Sequence, residues 1–379
     1  MAAVLAPVAA LAACGGSNSS TASPGSVATS AAGAATSAAG AATSAAQSGA
    51  GVATSAAESG AGTATSAATS TKVGIVYDIG GKGDKSFNDA AFAGVTKAKT
   101  DLGIDFEERS PNSSGTDRGD LMQQLAQAGD NPVIGVGFLF EDAIKKVAPK
   151  FPKTQFAIID DVVAAPNITS LVFTEEQSSY LVGVAAALKS TSGTVGFIGG
   201  VQTPLLQKFQ AGYAAGVTAT KPGDKVLVKY LSQPPDFSGF AAPDKGKVAA
   251  QGFLDAGADI VYAAAGGSGK GAFTAVTAAN KAGKKAYAIG VDSDQELSAD
   301  AADKPYILTS AIKRIDTAVF GFIKSFSQGS GKGGTEVFDL KADGVGYATS
   351  GGLVDDIATQ LEAAKAKIVA GTVKVPTKP

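Results

Sequence analysis

Short apolar runs alternate with amphipathic stretches along the chain from residue 72 onward. The run KVGIVYDIG (72–80) is rich in β-branched residues and ends in glycine, which predicts a buried strand followed by a loop. The stretch SFNDAAFAGVTKAKTDLG (86–103) has apolar residues at helical spacing and a closing glycine, which predicts a helix. Further strands are predicted at 133–138, 155–159, 170–173, 194–198, 225–230, 260–264, 286–291 and 306–311. Further helices are predicted at 117–128, 139–148, 176–188, 204–219, 245–255, 271–282 and 315–327.

This alternation of strands and helices is typical of parallel sheets that are covered by helices on both faces. The region 72–379 is longer than one hydrophobic core comfortably serves, so two lobes are expected. The sequence therefore predicts an α/β fold built of two doubly wound, parallel-sheet lobes.

The first 71 residues have a different character. Residues 15–71 are low in complexity, and the heptad AATSAAG (34–40) recurs nearly unchanged at 41–47 and 52–58. Serine, glycine and β-branched threonine interrupt every possible helix, and no apolar face persists. We expect a disordered tether, which as a random coil of this length would span ~40 Å; a marginal helix is the alternative.

The only cysteine, Cys14, lies between this tether and the uncharged apolar segment 1–13, which is too short to span a bilayer as a helix. The tetrapeptide LAAC (11–14) resembles a bacterial lipobox, in which the cysteine receives a diacylglyceryl group and becomes the mature N-terminus. A chance cysteine in an alanine-rich stretch is the alternative. No Lys or Arg precedes Cys14, so we expect the true translation start to lie upstream of Met1. The resemblance implies a protein that is exported and held on the extracytoplasmic face of the cell membrane by acyl chains.

The amino-acid composition excludes several kinds of catalytic and metal site. The chain of 379 residues has no His, a single Cys and a formal net charge of −2. Without histidine, Ser-His-Asp and Cys-His mechanisms are excluded, and a zinc site of His or Cys ligands is not expected. The near-neutral charge gives no electrostatic reason to expect a nucleic-acid partner. We therefore expect a protein without a cofactor or metal that is not an enzyme.

Polar residues follow several predicted strands directly. They are Asp78, the pair Asp160–Asp161, the turn GGSG (266–269) and the run DSDQ (292–295). In open parallel sheets, ligands bind beyond the carboxyl ends of the strands, where these positions meet. A single such carboxylate is as often a helix cap, but together they suggest a polar ligand with hydroxyl groups, since carboxylates accept hydrogen bonds from diols and repel phosphate. The turn lacks the spacing of a phosphate-binding loop, and Gly follows Lys270 where that motif has Ser or Thr.

Several motifs then resemble those of one family in both order and spacing. They are GGKGDKSFNDAAFAG (80–94), FAIIDD (156–161), VGFIGG (195–200), AAAGGSGKG (263–271), YAIGVDSDQ (287–295) and ILTSAIKRID (307–316). The region 72–379 resembles the basic-membrane-protein family of substrate-binding lipoproteins, whose characterised members capture purine nucleosides for ABC importers. The resemblance implies a type I periplasmic-binding fold with three hinge crossings, near 173–176, just after residue 294 and near 339–346. It gives a first lobe of 72–174 and 295–340, and a second lobe of 175–294 and 345–379.

The resemblance also implies roles for aromatic and basic side chains. Phe87 resembles the aromatic residue that stacks on one face of the base, and Phe240 resembles its counterpart on the other lobe. The segment around Phe240 is longer than the family pattern, so Phe237 competes for that role. Lys313 resembles a lysine close to the ligand, although its neighbour Arg314 is an alternative.

The polar roles follow from the same resemblance. Asn88 resembles a residue that contacts the base edge or the ribose, and Asp160 (or Asp161) resembles the carboxylate that contacts the purine edge. Asp292 resembles the carboxylate that binds the ribose hydroxyls. By the same resemblance, Asp78 lines the cleft and Gly266 lets the backbone approach the sugar.

These implications describe a lipid-anchored, monomeric receptor that closes on a nucleoside and delivers it to the permease of an ABC importer. A receptor of the same fold for a sugar or another diol-bearing metabolite is the first alternative, because sugars also bind aromatic faces and carboxylates. A nucleoside hydrolase with a metal on Asp292 and its neighbours is a second. A ligand-sensing partner of a signalling receptor is a third, since it shares the binding step.

Overall fold

The computed structural model describes residues 71–379; the predicted signal segment, Cys14 and nearly all of the predicted tether lie outside this range. Its strands are β1 (Lys72–Val76), β2 (Asp105–Arg109), β3 (Val133–Gly135), β4 (Phe156–Ile159), β5 (Ile168–Phe173), β6 (Thr194–Val201), β7 (Lys225–Ser232), β8 (Ile260–Ala264), β9 (Tyr287–Asp292), β10 (Ile307–Lys313), β11 (Gly334–Phe338) and β12 (Val345–Tyr347). Its α-helices are α1 (Phe87–Leu102), α2 (Arg118–Gln127), α3 (Glu141–Val147), α4 (Glu175–Lys189), α5 (Pro204–Thr220), α6 (Pro243–Asp255), α7 (Gly269–Lys281), α8 (Gln295–Ser298), α9 (Ile315–Ser327) and α10 (Ala358–Val369). None of the helices in this range is both long and apolar enough to cross a bilayer.

The strands form two six-stranded sheets, one in each lobe. The first has the order β2-β1-β3-β4-β5-β11 and the second has the order β7-β6-β8-β9-β10-β12. All neighbouring strands are parallel except β10 and β12, which pair antiparallel. In each sheet the order reverses beside one strand, β1 in the first and β6 in the second, and ligands bind at such switch points. The two doubly wound lobes predicted from the sequence are confirmed.

The chain passes between the lobes three times. It leaves the first sheet after β5, returns between β10 and α9, which packs on α1, and leaves again between β11 and β12. The second passage corrects the sequence-based boundary, which put all of 295–340 in the first lobe. β10 lies in the second sheet, where its backbone pairs with β9 on one side and β12 on the other and six of its seven residues are buried. The passage therefore falls at Arg314 rather than just after Asp294.

Close helix packing in the second lobe fixes the elements that reach the cleft. Helices α4 and α5 cross at glycines, and a Cβ atom at Gly212 would lie 2.1 Å from the carbonyl oxygen of Glu176. A Cβ at Gly216 would lie equally close, 2.1 Å, to the carbonyl oxygen of Tyr180. Only residues without a side chain allow two backbones to approach so closely. This contact holds the start of α4 and the first turns of α5 at the boundary between the lobes.

Candidate functional site

A cavity lies between the two lobes; the space among its lining atoms, including the part that is open to solvent, is about 580 Å³. Its polar or glycine lining residues are Asp78, Asp84, Asn88, Gly137, Asp160, Gly266, Asp292 and Lys313. Its apolar lining residues are Ile79, Phe87, Phe138, Leu205, Leu206, Phe209, Phe240, Ala264 and Val291. Eight of the nine ligand-binding residues predicted from the sequence belong to this lining, which joins the carboxyl ends of strands from both sheets.

The structure also separates the residues between which the sequence could not choose. Asp160 lines the cavity, whereas Asp161 points elsewhere and accepts a hydrogen bond from the amide of Val162 at 2.7 Å. Phe240 lines the cavity and Phe237 does not. Lys313 lines it and Arg314 does not. Asp161 is thus the one predicted ligand-binding residue that is not brought to the cavity.

The loop between β1 and α1 is held by its own polar side chains. The carboxylate of Asp84 accepts hydrogen bonds from the backbone amides of Ser86, Asn88 and Asp89 at 2.8–3.1 Å and so caps the start of α1. The side chain of Asn88 accepts from the amide of Asp78 and donates to Asp84 and to the carbonyl of Ile79. Both amide hydrogens of Asn88 are therefore occupied, and its oxygen keeps one lone pair for a further contact.

A buried ion cluster forms the part of the cavity nearest the hinge. Lys313 Nζ lies 2.5 Å from Asp160 Oδ2 and 3.4 Å from Glu175 Oε1. Burial lowers the pKa of Lys313, whereas the negative charges of Asp160, Glu175 and Asp292 raise it. The three charges together have the larger effect, so the pKa is raised and the ammonium stays charged. Burial raises the pKa of Asp160 to about 7 against the opposing effect of Lys313. Asp160 Oδ1 is buried and has no hydrogen-bond partner among the described residues, so it is an acceptor that a ligand could use.

Asp292 occupies the matching position in the second lobe. Its Oδ2 accepts a hydrogen bond from Ser86 Oγ at 2.6 Å, which links the two lobes. Burial raises the pKa of Asp292 to about 6, and Lys313 and the Ser86 hydroxyl oppose this only in part. Both Asp160 and Asp292 have left-handed backbone conformations, with φ of 69° and 64°. Non-glycine residues in this region carry strain, which is often found where side chains are directed into a functional site.

Aromatic rings supply much of the remaining surface. The ammonium of Lys313 lies over the ring of Phe87, 5.2 Å from the ring centroid. This ring lines the cavity and also packs against the edge of the hydrophobic core. Across the cleft, the ring of Phe138 contacts Phe240 edge-on at 6.5 Å and Phe237 at 6.1 Å. The cavity is thus bordered by rings from both lobes.

Sequence reasoning missed several of these lining residues. Phe138 follows β3 at the edge where the other site residues lie, so the strand-end rule could have found it. Leu205, Leu206 and Phe209 belong to the start of α5, after the end of β6. From the sequence they look like residues of an ordinary helix core, because helical spacing does not distinguish an apolar cavity wall from a packed interior.

The cavity combines hydrogen-bond acceptors with apolar rings. Three carboxylates whose side chains are buried, those of Asp78, Asp160 and Asp292, face it, and they accept hydrogen bonds without donating any when ionised. The apolar rings suit a flat ligand face. Among residues 71–379 there is no cluster of His, Cys, Asp and Glu arranged to hold a metal ion.

Comparison with known proteins gives a consistent result. A family model described as ABC transporter substrate-binding protein, PnrA-like, matches residues 71–379. The chain is 33% identical over 326 residues to the ABC transporter nucleoside-binding protein BmpA of Lactococcus lactis subsp. cremoris, covering 82% of this chain and 90% of that protein. It is 37% identical over 284 residues to an uncharacterized lipoprotein of Pyrococcus abyssi, covering 73% of this chain and 68% of that protein.

Solved structures agree with this. An ABC transporter solute-binding protein from Aeropyrum pernix superposes with a TM-score of 0.72 at 28% identity, covering 81% of this chain and 93% of that one. The fold is accordingly the type I periplasmic-binding fold, as the sequence motifs implied.

Proposed function

Since the chain belongs to the family of PnrA-like ABC transporter substrate-binding proteins, we propose that it binds a purine nucleoside between its lobes and delivers it to an ABC importer. The family consists of substrate-binding proteins and not of enzymes, so the ligand leaves chemically unchanged. A relative that is 33% identical is named a nucleoside-binding protein, which supports this ligand class.

The observation that carries the proposal is the make-up of the cavity, in which aromatic rings and acceptor carboxylates from both lobes meet. A purine nucleoside is a flat, uncharged ring system joined to a diol. Phe87 and Phe240 would stack on the base, each contact contributing ~1–3 kcal/mol. Asp160 Oδ1 would accept from the base edge and Asp292 from the ribose, each bond contributing ~1.5–3 kcal/mol.

In this proposal, ligand binding closes the two lobes about the hinge between them. The contacts that define the closed form are those between the lobes: Ser86 with Asp292, Phe138 with Phe240, and the side-chain amide of Gln295, which donates to the carbonyl of Lys85 at 2.9 Å. A ligand that touches both lobes adds to these contacts only in the closed state. The closed form would then be the one that a permease recognises.

The cellular setting is part of the same proposal. We place the protein, as a monomer, on the extracytoplasmic face of the membrane, anchored through lipid on Cys14 and spaced from it by residues 15–71. The lipobox-like sequence and the lipoprotein name of a relative that is 37% identical support this placement. Incorporation of labelled palmitate into the wild-type protein but not into a Cys14→Ser variant would test it.

Calorimetric titration of the ligand-free protein with adenosine, guanosine, inosine, uridine and ribose tests the ligand class. We expect the purine nucleosides to bind most tightly. A preference for ribose would instead assign a sugar receptor, and release of hypoxanthine from inosine would reveal a hydrolase. If no solute with a nucleobase binds, the proposal is wrong.

A matched pair of variants tests the site. Asp160→Asn should abolish or strongly weaken nucleoside binding, since it replaces an acceptor at the cavity by an amide. Asp161→Asn, one residue away but outside the cavity, should bind as the wild type does. Equal effects of the two substitutions would contradict the assignment of Asp160.

A further inference from the structure

Arg118, at the start of α2, lies directly behind the wall of the cavity without lining it. Its side chain is only 11% exposed, and its guanidinium lies over the ring of Phe140 with its carbon 5.6 Å from the centroid. Nη1 donates to the carbonyl of Gly115 at 2.9 Å and Nη2 donates to Asp78 Oδ1 at 3.0 Å. A nearly buried arginine that pairs with a cavity carboxylate has a cost in desolvation, so its position calls for an explanation.

The carboxylate of Asp78 is fixed through only one of its two oxygens. Oδ1 accepts both from Arg118 and from the amide of Ile79, the latter at 2.8 Å. Oδ2 accepts no hydrogen bond from the described residues and belongs to a side chain that lines the cavity. The carboxylate is therefore held on one side and leaves an acceptor for a ligand on the other.

Gly137 completes this arrangement from the end of β3. Its φ of 110° strongly favours glycine, and a Cβ atom there would lie 2.5 Å from Asp78 Oδ2. The space that Oδ2 occupies therefore exists because residue 137 has no side chain. Arg118, Ile79 and Gly137 together determine where the free oxygen of Asp78 lies.

We propose that Arg118 is a positioning residue for ligand binding, which holds Asp78 ionised and oriented so that its Oδ2 accepts a hydrogen bond from a ligand hydroxyl. The inference rests on the proposed function of the cavity and assigns to it a residue that does not touch the ligand.

Electrostatics agree with this geometry. Burial raises the pKa of Asp78, and the charge of Arg118 and the hydrogen bonds to Arg118 and Ile79 oppose the rise. Without the guanidinium, the pKa of this buried carboxyl would rise further, which favours the protonated form, in which the hydroxyl group donates instead of accepting. Arginine suits this task because its planar group bonds Gly115 and Asp78 at once, with two nitrogens at fixed angles.

A double-mutant cycle in binding tests the proposal. The variants are Arg118→Met, Asp78→Asn and the double variant, each titrated with inosine and with ribose and each melted without ligand. Asp78→Asn and Arg118→Met should each weaken binding ~10- to 100-fold, the range of one lost charge-assisted hydrogen bond. The double variant should bind within about threefold of Asp78→Asn alone, since Arg118 acts through Asp78.

The conservative variant separates positioning from a merely structural role. Arg118→Lys keeps the charge near Asp78 and should recover part of the lost affinity. If Arg118→Met is too unstable to titrate, the double variant, which no longer buries an unpaired carboxylate, supplies the comparison with Asp78→Asn. The proposal would be overturned if the loss of affinity in the double variant equals the product of the two single losses. It would also be overturned if Arg118→Met binds within twofold of the wild type.

The wild-type titrations distinguish this failure from failure of the proposed function. A wild type that binds ribose but not inosine would refute the nucleoside assignment, and the cycle with ribose would still decide the role of Arg118. A wild type that binds neither ribose nor any of the nucleosides would overturn both.

Discussion

Replacing Asp292 by Asn should abolish ligand binding and at the same time stabilise the ligand-free protein. Asp292 is buried, and the charges around it compensate only in part for its loss of hydration. Asn has the same shape and is among the residues that best tolerate the left-handed backbone found at this position, where φ is 64°. The substitution therefore removes a charge with little change in packing or backbone strain.

The magnitude follows from the pKa of Asp292. It rises from 3.8 to about 6 on folding, which corresponds to about 3 kcal/mol of native-state destabilisation at pH above 6. The sign is set by proton binding: between these two values the folded state binds more protons than the unfolded state, so the free energy of unfolding falls as the pH rises. The destabilisation is complete above the folded-state pKa and absent below the unfolded-state pKa. Asn does not ionise, so the variant lacks this pH-dependent destabilisation.

The assay is urea denaturation of the wild type and Asp292→Asn at pH 7.5 and pH 5.0, after removal of ligand. At pH 7.5 the variant should be more stable by about 3 kcal/mol, and at pH 5.0 by about half as much. Asp244→Asn, on the exposed first turn of α6, is the matched control and should change stability little at either pH. Calorimetry on the same samples should show that only Asp292→Asn loses nucleoside binding.

Two outcomes would refute the reasoning. If Asp292→Asn is less stable than the wild type at pH 7.5, the ion pairs and the Ser86 hydroxyl outweigh the cost of burial. If its stability gain is the same at both pH values, the carboxylate is not the group that titrates.

Three further predictions concern other parts of the site. Phe87→Ala should weaken nucleoside binding by ~10- to 100-fold in calorimetry while changing the melting temperature little, since the ring lines the cavity; a loss of several kcal/mol of stability would show that it is core instead. Lys313→Met should destabilise the fold by ~3–5 kcal/mol in urea denaturation, because it leaves Asp160 buried without its cation and leaves Glu175 with Lys208 alone; unchanged stability would contradict the ion cluster. Phe138→Ala removes a contact made between the lobes and should raise the dissociation rate in stopped-flow experiments more than it lowers the association rate; an effect on association alone would argue against closure through this ring.

The buried strands were predictable from sequence, and of the four strands at sheet edges only β7, predicted at 225–230, was found in advance. β2, with the sequence DFEER, and β11, with GTEVF, lie at opposite edges of the first sheet and are largely exposed or half-buried. An edge strand has one neighbour and needs no continuous apolar run, so its sequence carries little strand signal. β12 and α10 went unpredicted as well, β12 being a three-residue edge strand of the second sheet.

Site residues that directly follow a strand could be predicted from sequence. Pairings between side chains that are far apart along the chain could not. Residues directly after parallel strands come to one edge of a sheet, which located Asp78, Asp160 and Asp292. The pairing of Asp78 with Arg118, forty positions away along the chain, follows no local pattern.

Hydrophobic periodicity and the geometry of parallel sheets act locally, so the amino-acid pattern predicted the two α/β lobes, the buried strands and the carboxylates at their ends. Packing of the whole chain was needed to show that Asp160 and not Asp161 faces the cavity, that β10 lies in the second lobe, and that Arg118 pairs with Asp78. Each of these depends on which surfaces are buried against each other, and burial is a property of the whole packed chain.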